Sequence, residues 1–176
     1  MSAEQARWLF QRVPDQEYLD SCREALAQVP EIPPPTGSYL VFRLNKQWFG
    51  IAASCASQVS GALEIRAVPN RSADLLLGLV NWRGRLEICV SLYPLLVPLP
   101  GRPEGADTFL VLDLGGDLYV TPVHQVTGIG RLPHHLIERP PQAATHVSGL
   151  VHWEGELISL IDPLSLQQTL RRMVSR

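Results

Sequence analysis

Metal, nucleophile and acid–base chemistry each require particular residue types at particular spacings. This chain has the types without the spacings. Its five histidines are His124, His134, His135, His146 and His152. None forms His-x-x-x-His on a helix, and none stands beside a cysteine at ligand spacing. His134 and His135 are adjacent after Pro133, whereas a metal site needs ligands that converge from different points. The three cysteines, Cys22, Cys55 and Cys89, are far apart and odd in number, with no Cys-x-x-Cys. They read as reduced, packed thiols rather than a zinc ribbon or a disulfide framework. No Gly-x-Ser-x-Gly or Walker A loop occurs, and Gly128-Ile129-Gly130 lacks the third glycine and the helix of a dinucleotide site. The carboxylates are scattered, with no pair placed for general acid and base work. The expectation is a chain without catalysis, metal or cofactor.

Recognition chemistry has a better candidate. Gly78-Leu79-Val80-Asn81-Trp82-Arg83-Gly84-Arg85-Leu86-Glu87-Ile88-Cys89-Val90 reads as a strand, a glycine-closed turn and a return strand. Leu86, Ile88 and Val90 alternate onto one face. Gly78 and Gly84 permit backbone angles that a Cβ would penalise, and Asn81 can hydrogen-bond the turn's backbone. Arg83 offers a planar group with several donors that can pair across a contact.

The elements that must hold this turn are duplicated. Gly149-Leu150-Val151-His152-Trp153-Glu154-Gly155-Glu156-Leu157 matches the first stretch at six of nine positions, 71 residues later. Tyr39–Leu44, Asn45-Lys46-Gln47 and Trp48–Ile51 form a hairpin pattern. It recurs 70 residues on as Phe109–Leu114, Gly115-Gly116-Asp117 and Leu118–Val120. Each copy then runs through an apolar segment to a glycine and a proline: Val59, Gly61 and Pro69 in the first, Val126, Gly128 and Pro133 in the second. Gly, Leu, Val and Trp recur in the two late hairpins, which assigns them to the fold. Asn81 and Arg83 occur only in the first copy, where the second has His152 and Glu154.

Short, regularly spaced strands punctuated by Gly and Pro predict small barrels or a sandwich, with two halves sharing a core along their seam. Helical periodicity in the body is confined to Ala73–Leu77 and to the tail from Asp162 to Met173. In the tail Asp162 can cap, Pro163 fits the first turn, and Arg171 and Arg172 suit its C-terminal end. Residues 1–37 differ: an amphipathic helix carries Tyr18, Leu19, Cys22, Leu26 and Val29 on one face, and Pro33-Pro34-Pro35 stiffens the linker behind it. That helix either packs on its own domain or docks on another protein. Pro98–Gly105 reads as the loop between halves.

Apolar residues make up 45% of the 176 and charged residues 18%, with a net charge of −2. This is globular composition, without a bulk field for nucleic acid or anionic lipid. No secretory signal pattern opens the chain, and no apolar run approaches the roughly 20 residues of a membrane-spanning helix. A soluble intracellular protein without membrane insertion is expected.

The Gly78–Gly84 heptad, with Val68-Pro69-Asn70 ahead of it and the Tyr39–Leu44 strand, resembles the CheW-like domain. This is the family of bacterial chemotaxis coupling proteins, which carry Gly-x-Val-Asn-x-Arg-Gly followed by a strand and Asp-Leu. The resemblance runs from about Ser38 to Leu170 and includes Gly149–Gly155 and Leu160-Ile161-Asp162. It implies a mainly β fold: two similar five-stranded, SH3-like β-barrel subdomains sharing a hydrophobic core, here with an N-terminal helical extension and a short C-terminal helix. The domain would cover 38–176, with approximate, intertwined halves at 38–97 and 106–164. The implied role is a non-catalytic, cofactor-free adaptor that couples the cytoplasmic tips of chemoreceptors to the regulatory domain of a CheA-type histidine kinase. It would be cytoplasmic and recruited to receptor arrays, with exposed apolar residues at the barrel edges carrying much of the binding.

The family's partner-binding motif falls on Gly78, Asn81, Arg83 and Gly84, and its preceding strand on Gln58 and Val59. Three departures stand out. Gln58 takes the place of an acidic residue, which puts an internal ion pair with Arg83 in doubt. Ser91 replaces the Asp that the second copy keeps as Asp162. The segment before Ser38 has no counterpart in the minimal coupling protein, although Arg12–Leu19 is similar to the extension of coupling proteins in Wsp-type surface-sensing systems. The competing reading is a double β-barrel that binds a small ligand or single-stranded nucleic acid. Such barrels use basic grooves interleaved with aromatics, whereas the basic residues here are dispersed.

Overall fold

A computed structural model describes residues 36–68, 75–97, 105–140 and 145–174. The expected N-terminal helix, its proline linker, the Arg12–Leu19 segment, Pro69 and residues 98–104 of the inter-half loop lie outside them.

In chain order the strands are β1 (Thr36–Leu44), β2 (Gln47–Ala52), β3 (Ala56–Ser60), β4 (Ile65–Arg66), β5 (Leu76–Trp82) and β6 (Arg85–Val90). After the one-turn helix α1 (Tyr93–Leu96) come β7 (Thr108–Leu114), β8 (Asp117–Val123), β9 (Gln125–Pro133), β10 (Val147–Trp153) and β11 (Glu156–Ile161). The chain then forms helix α2 (Pro163–Val174). Four of these strand pairs, β1–β2, β5–β6, β7–β8 and β10–β11, are hairpins closed by two residues. The first turn residue has positive φ in each: Asn45 (55°), Arg83 (50°), Gly115 (67°) and Glu154 (51°). Two-residue turns of this hand match the right-handed twist of the flanking strands.

Helix α2 forms as the sequence predicts. Asp162 Oδ1 accepts a hydrogen bond from the Leu164 N–H at 3.1 Å, Pro163 opens the helix, and Leu166 and Leu170 are buried. The predicted helical approach to Gly78 does not form in the described part. Leu76 and Leu77 are already in β5, because pairing with β6 satisfies their backbone from Leu76 onward.

The two sequence halves exchange hairpins. One sheet has five strands in the order β10-β11-β2-β1-β9, the other six in the order β3-β7-β8-β6-β5-β4. The first-half hairpin β1–β2 therefore sits among second-half strands, through the parallel pair β2–β11. The second-half hairpin β7–β8 sits among first-half strands, through the parallel pair β6–β8.

Neither sheet closes into the five-stranded barrel that the family resemblance implies. Beyond β10 of the five-stranded sheet there is one isolated bridge, in which Glu138, past the end of β9, and Leu150 exchange hydrogen bonds of 2.7 and 2.9 Å. In the other sheet β3 stops at Ser60, and the short β4 adds a sixth strand beyond β5. In this six-stranded sheet the edge strands, five and two residues long, are too short to complete a ladder around the ring.

Alternation in the long strands explains the packing. Leu40, Phe42 and Leu44 of β1, and Leu110, Leu112 and Leu114 of β7, enter one large shared cluster with Phe49, Ile51, Leu92, Leu166 and Leu170. The opposite face of each strand serves its own sheet. Val41 packs with Leu132, Val151, Ile158 and Leu160, and Phe109 and Val111 pack with Val80, Cys89 and Val120. Strands buried on both faces read as continuous apolar runs, which is what Leu40-Val41-Phe42 and Leu110-Val111-Leu112 are.

The strand pairing also corrects the sequence alignment of the halves. Gln58 faces Val111, and Gly128 faces Val41, its repeat equivalent. Gly128 therefore corresponds to Gln58 rather than to Gly61, and Ile129 corresponds to Val59.

Candidate functional site

The β5–β6 hairpin carries four of the six predicted partner-binding residues, which do not act as one group. Gly78 lies toward the far end of β5 from the turn, at the register shift against β6 and close to the neighbouring strand β4. A Cβ there would come within 2.3 Å of the Arg66 carbonyl oxygen, so this glycine serves the close approach of β4 to β5. Gly84 has φ +81° with open space around it; it is needed for its dihedral alone. Asn81 Oδ1 accepts the Gly84 N–H at 3.0 Å, as Asp113 Oδ1 accepts the Gly116 N–H at 2.8 Å in the β7–β8 turn. Asn81 thus braces the hairpin, as its residue type foretold.

Arg83 is different. Its side chain is exposed, its Nη2 donates to Gln58 Oε1 at 2.5 Å, and its guanidinium carbon lies 5.4 Å from the Trp82 ring centroid. β3 and β5 lie on opposite sides of the intervening β7, β8 and β6. The Gln58–Arg83 hydrogen bond therefore spans the unclosed gap of the curled sheet. Where a glutamate would neutralise the guanidinium, the neutral glutamine oxygen accepts the hydrogen bond and leaves the positive charge in place. Val59, next to Gln58 on β3, is paired with Leu110 of β7 and is exposed.

Alternation places Leu86, one residue past Arg85, on the same face as Ile88 and Val90. It is 63% exposed, because the shared core ends at Ile88 and the hairpin tip projects beyond it. Its repeat equivalent Leu157 is 47% exposed, and the equivalent pair Val59 and Ile129 are 40% and 68% exposed. Both sheets thus present the same two exposed apolar positions, one on the third strand of the repeat and one just past the late hairpin turn. The recurrence of leucine at 86 and 157 was the signal. Recurrence in the two hairpins predicts service to the fold, whereas at these two positions it marks surface.

The two hairpin tips differ in charge. Arg83 and Arg85 flank Gly84, and Glu154 and Glu156 flank Gly155 at the same register positions. Behind the acidic tip lies a small cavity between Trp48 and Trp153, floored by Val41 and Ile158.

Of the groups with chemical potential, Cys89 is buried and desolvation pushes its thiol up to about 12, which makes it a poor nucleophile. His146 is buried and its Nδ1 lies 2.8 Å from Ser165 Oγ. Burial lowers its pKa, with the Asp162 carboxylate acting in the opposite direction. Among the described residues, no three His, Cys, Asp or Glu side chains gather as a metal site. None of the described helices is long and apolar enough to cross a membrane.

This is a duplicated, hairpin-exchanged two-sheet fold whose two late hairpin tips carry opposite charges. The family model of the CheW-like domain matches residues 38–170: the chain belongs to the CheW-like domain family. Its fold is similar to the crystal structure of the scaffolding protein TtCheW from Thermoanaerobacter tengcongensis, with a TM-score of 0.63 at 18% identity over 73% of this chain and 90% of that one. No curated protein sequence matches the chain.

Proposed function

We propose that this chain is a non-catalytic adaptor of chemotaxis-like signalling. It would work in the cytoplasm at receptor arrays, coupling chemoreceptor tips to the regulatory domain of a CheA-type histidine kinase. Family membership supports the general role. The observation that carries the reading further is the duplicated exposed pair, Val59 with Leu86 and Ile129 with Leu157, set beside tips of opposite charge. An adaptor needs two surfaces that bind by similar contacts yet do not accept each other's partners. Exposed aliphatic residues supply contact area, and the inverted charges discriminate between partners. In this reading Arg83 is a partner-binding residue on the first surface, with Val59 beside it. Gln58, Asn81, Gly78 and Gly84 hold the local geometry. The nucleic-acid alternative is disfavoured because Glu154 and Glu156 rim the Trp48–Trp153 cavity and would repel phosphates.

Pull-down of the receptor tip and of the kinase regulatory domain tests this. Arg83→Glu with Leu86→Ser is expected to weaken one partner by roughly tenfold or more and spare the other. Glu154→Lys with Leu157→Ser is expected to do the converse. Both pairs lie on exposed hairpin tips, so each variant should melt close to the parent. Loss of both partners by each variant, or of neither, would refute the two-surface reading.

A further inference from the structure

What fills the mouth of the six-stranded sheet is missing from the five-stranded one. In the first, Gln58 and Arg83 meet across the gap, and the Arg83 guanidinium lies over Trp82. The same register positions in the second are Gly128 and Glu154. Glycine contributes no side chain, and a Cβ added at Gly128 would meet nothing within 4 Å. What remains there is a cavity of about 90 Å³ with Val41 and Ile158 as its floor, Trp48 and Trp153 as its walls, and Glu154 and Glu156 at its rim.

We propose that this cavity is a binding site for the guanidinium group of an arginine side chain carried by a partner protein. The protein itself provides the precedent. At the equivalent tip an arginine stacks on the equivalent tryptophan at 5.4 Å, so an incoming arginine over Trp153 would reproduce an arrangement that this fold already adopts. The charges agree: two carboxylates stand where the other tip has two arginines. Arg43 opposes them, but its guanidinium carbon is 5.8 Å from the Trp48 ring centroid and its Nη1 donates to the Asn45 carbonyl at 3.1 Å. The cavity is also too small for a drug-sized ligand, whose pockets hold roughly 300–1,000 Å³. It suits the end of a single side chain. Arginine is favoured over lysine because a planar, weakly hydrated guanidinium can both stack on a ring and pair with a carboxylate. The site shares Glu154 and Glu156 with the second surface of the adaptor reading, but it involves neither Arg83 nor the exposed aliphatic pairs, and its test with an isolated arginine analogue does not depend on which partner that surface takes.

The test is an NMR titration of the full chain with Nα-acetyl-arginine amide, followed at the Trp48 and Trp153 indole N–H signals. Its citrulline analogue, of similar shape but uncharged, serves as comparison. Saturable shifts are expected with a dissociation constant on the order of millimolar, as one stacked cation with screened pairs gives. The citrulline analogue is expected to leave both signals in place. Glu154→Gln with Glu156→Gln is expected to weaken binding by roughly fivefold or more. Glu154→Arg, which would set the chain's own guanidinium over Trp153, is expected to abolish it. An absent or unsaturable response, an equal response to citrulline, or binding unchanged in the glutamine variant would overturn the site. Self-association that the glutamine variant abolishes would give the cavity to the chain's own Arg83-Gly84-Arg85 turn and overturn the assignment to a different protein.

Discussion

At φ +50° Arg83 holds a left-handed conformation that asparagine or glycine accepts more readily, and the chain uses those residue types at two other turns, Asn45 and Gly115. An arginine there costs about 1 kcal/mol of backbone strain. The hydrogen bond to Gln58 and the stack on Trp82 offset roughly that much, since exposed contacts of this kind contribute about 0.5–1 kcal/mol each. The turn therefore gains little from arginine, which is an argument for a role outside the fold. Gln58→Glu separates the two roles. It turns the neutral hydrogen bond into an exposed ion pair, so stability should rise by up to about 1 kcal/mol at low salt. The gain should fade near 1 M salt, where the screening length is about 3 Å. The denaturation midpoint at two salt concentrations measures this. The same change neutralises Arg83, so any partner that reads its charge should bind less tightly to the more stable variant. At this scale the sequence was informative about types and poor about surroundings. The bracing role of Asn81 followed from residue chemistry, and absence from the second copy singled out Arg83, whose exposed side chain makes the Gln58 contact. The exposure of Leu86 did not follow, because alternation tells which face a side chain takes and not where the core beneath it ends.

Helix α2 shows how an element can be legible while its anchoring is not. Its cap, its proline and its buried Leu166 and Leu170 were readable from spacing. Its docking was not: Gln167 Nε2 donates to the Leu114 carbonyl, and Arg171 pairs with Asp117 at 2.5 Å, both on the distant β7–β8 hairpin. The start of the helix is tied to the turn that precedes β10 through His146. Ser165 Oγ donates its proton to the Thr145 carbonyl at 3.0 Å, so it accepts from His146 Nδ1–H. Neutral imidazole with its proton on Nδ1 satisfies this chain. Burial lowers the His146 pKa below its ordinary 6.5 in the folded protein, against the raising effect of the Asp162 carboxylate. The unfolded chain then binds the proton more readily. The His146 contribution is fully present above about pH 6.5 and is lost as pH falls through the lower folded-state value. His146→Asn supplies an amide donor toward Ser165 but no titration. It is expected to flatten this part of the stability profile while the carboxylate-dependent fall at lower pH persists. Urea midpoints measured in steps between pH 7.5 and 4.5 would show it, and parallel profiles for the two proteins would exclude the assignment.

For the molecule as a whole, a duplication in sequence invites a picture of two self-contained barrels, and the pairing of strands refutes it. Repeat matching shows that two hairpins are alike, but not which copy's strands each one joins. The parallel contacts β2–β11 and β6–β8, which effect the exchange, leave no local pattern because strand propensity is indifferent to the partner. Each half supplies its first hairpin to the other half's sheet, and Phe42, Phe49, Leu110 and Leu112 meet in one shared cluster. Neither half can then bury its apolar faces alone. A fragment ending at Val97 would expose Leu40, Phe42 and Leu44 on β1, and one beginning at Gly105 would expose Leu110, Leu112 and Leu114 on β7. Exposing three buried leucine-sized side chains forgoes roughly 5–9 kcal/mol, comparable with the whole stability of a domain this size. Each fragment by itself is expected to lack a cooperative melt. An equimolar mixture is expected to recover one, at a midpoint that rises with concentration because folding has become association. Calorimetry of the intact chain should give a single transition across both sheets. A cooperative melt from either fragment alone would show that the halves are independent and that the exchange of hairpins does not couple them.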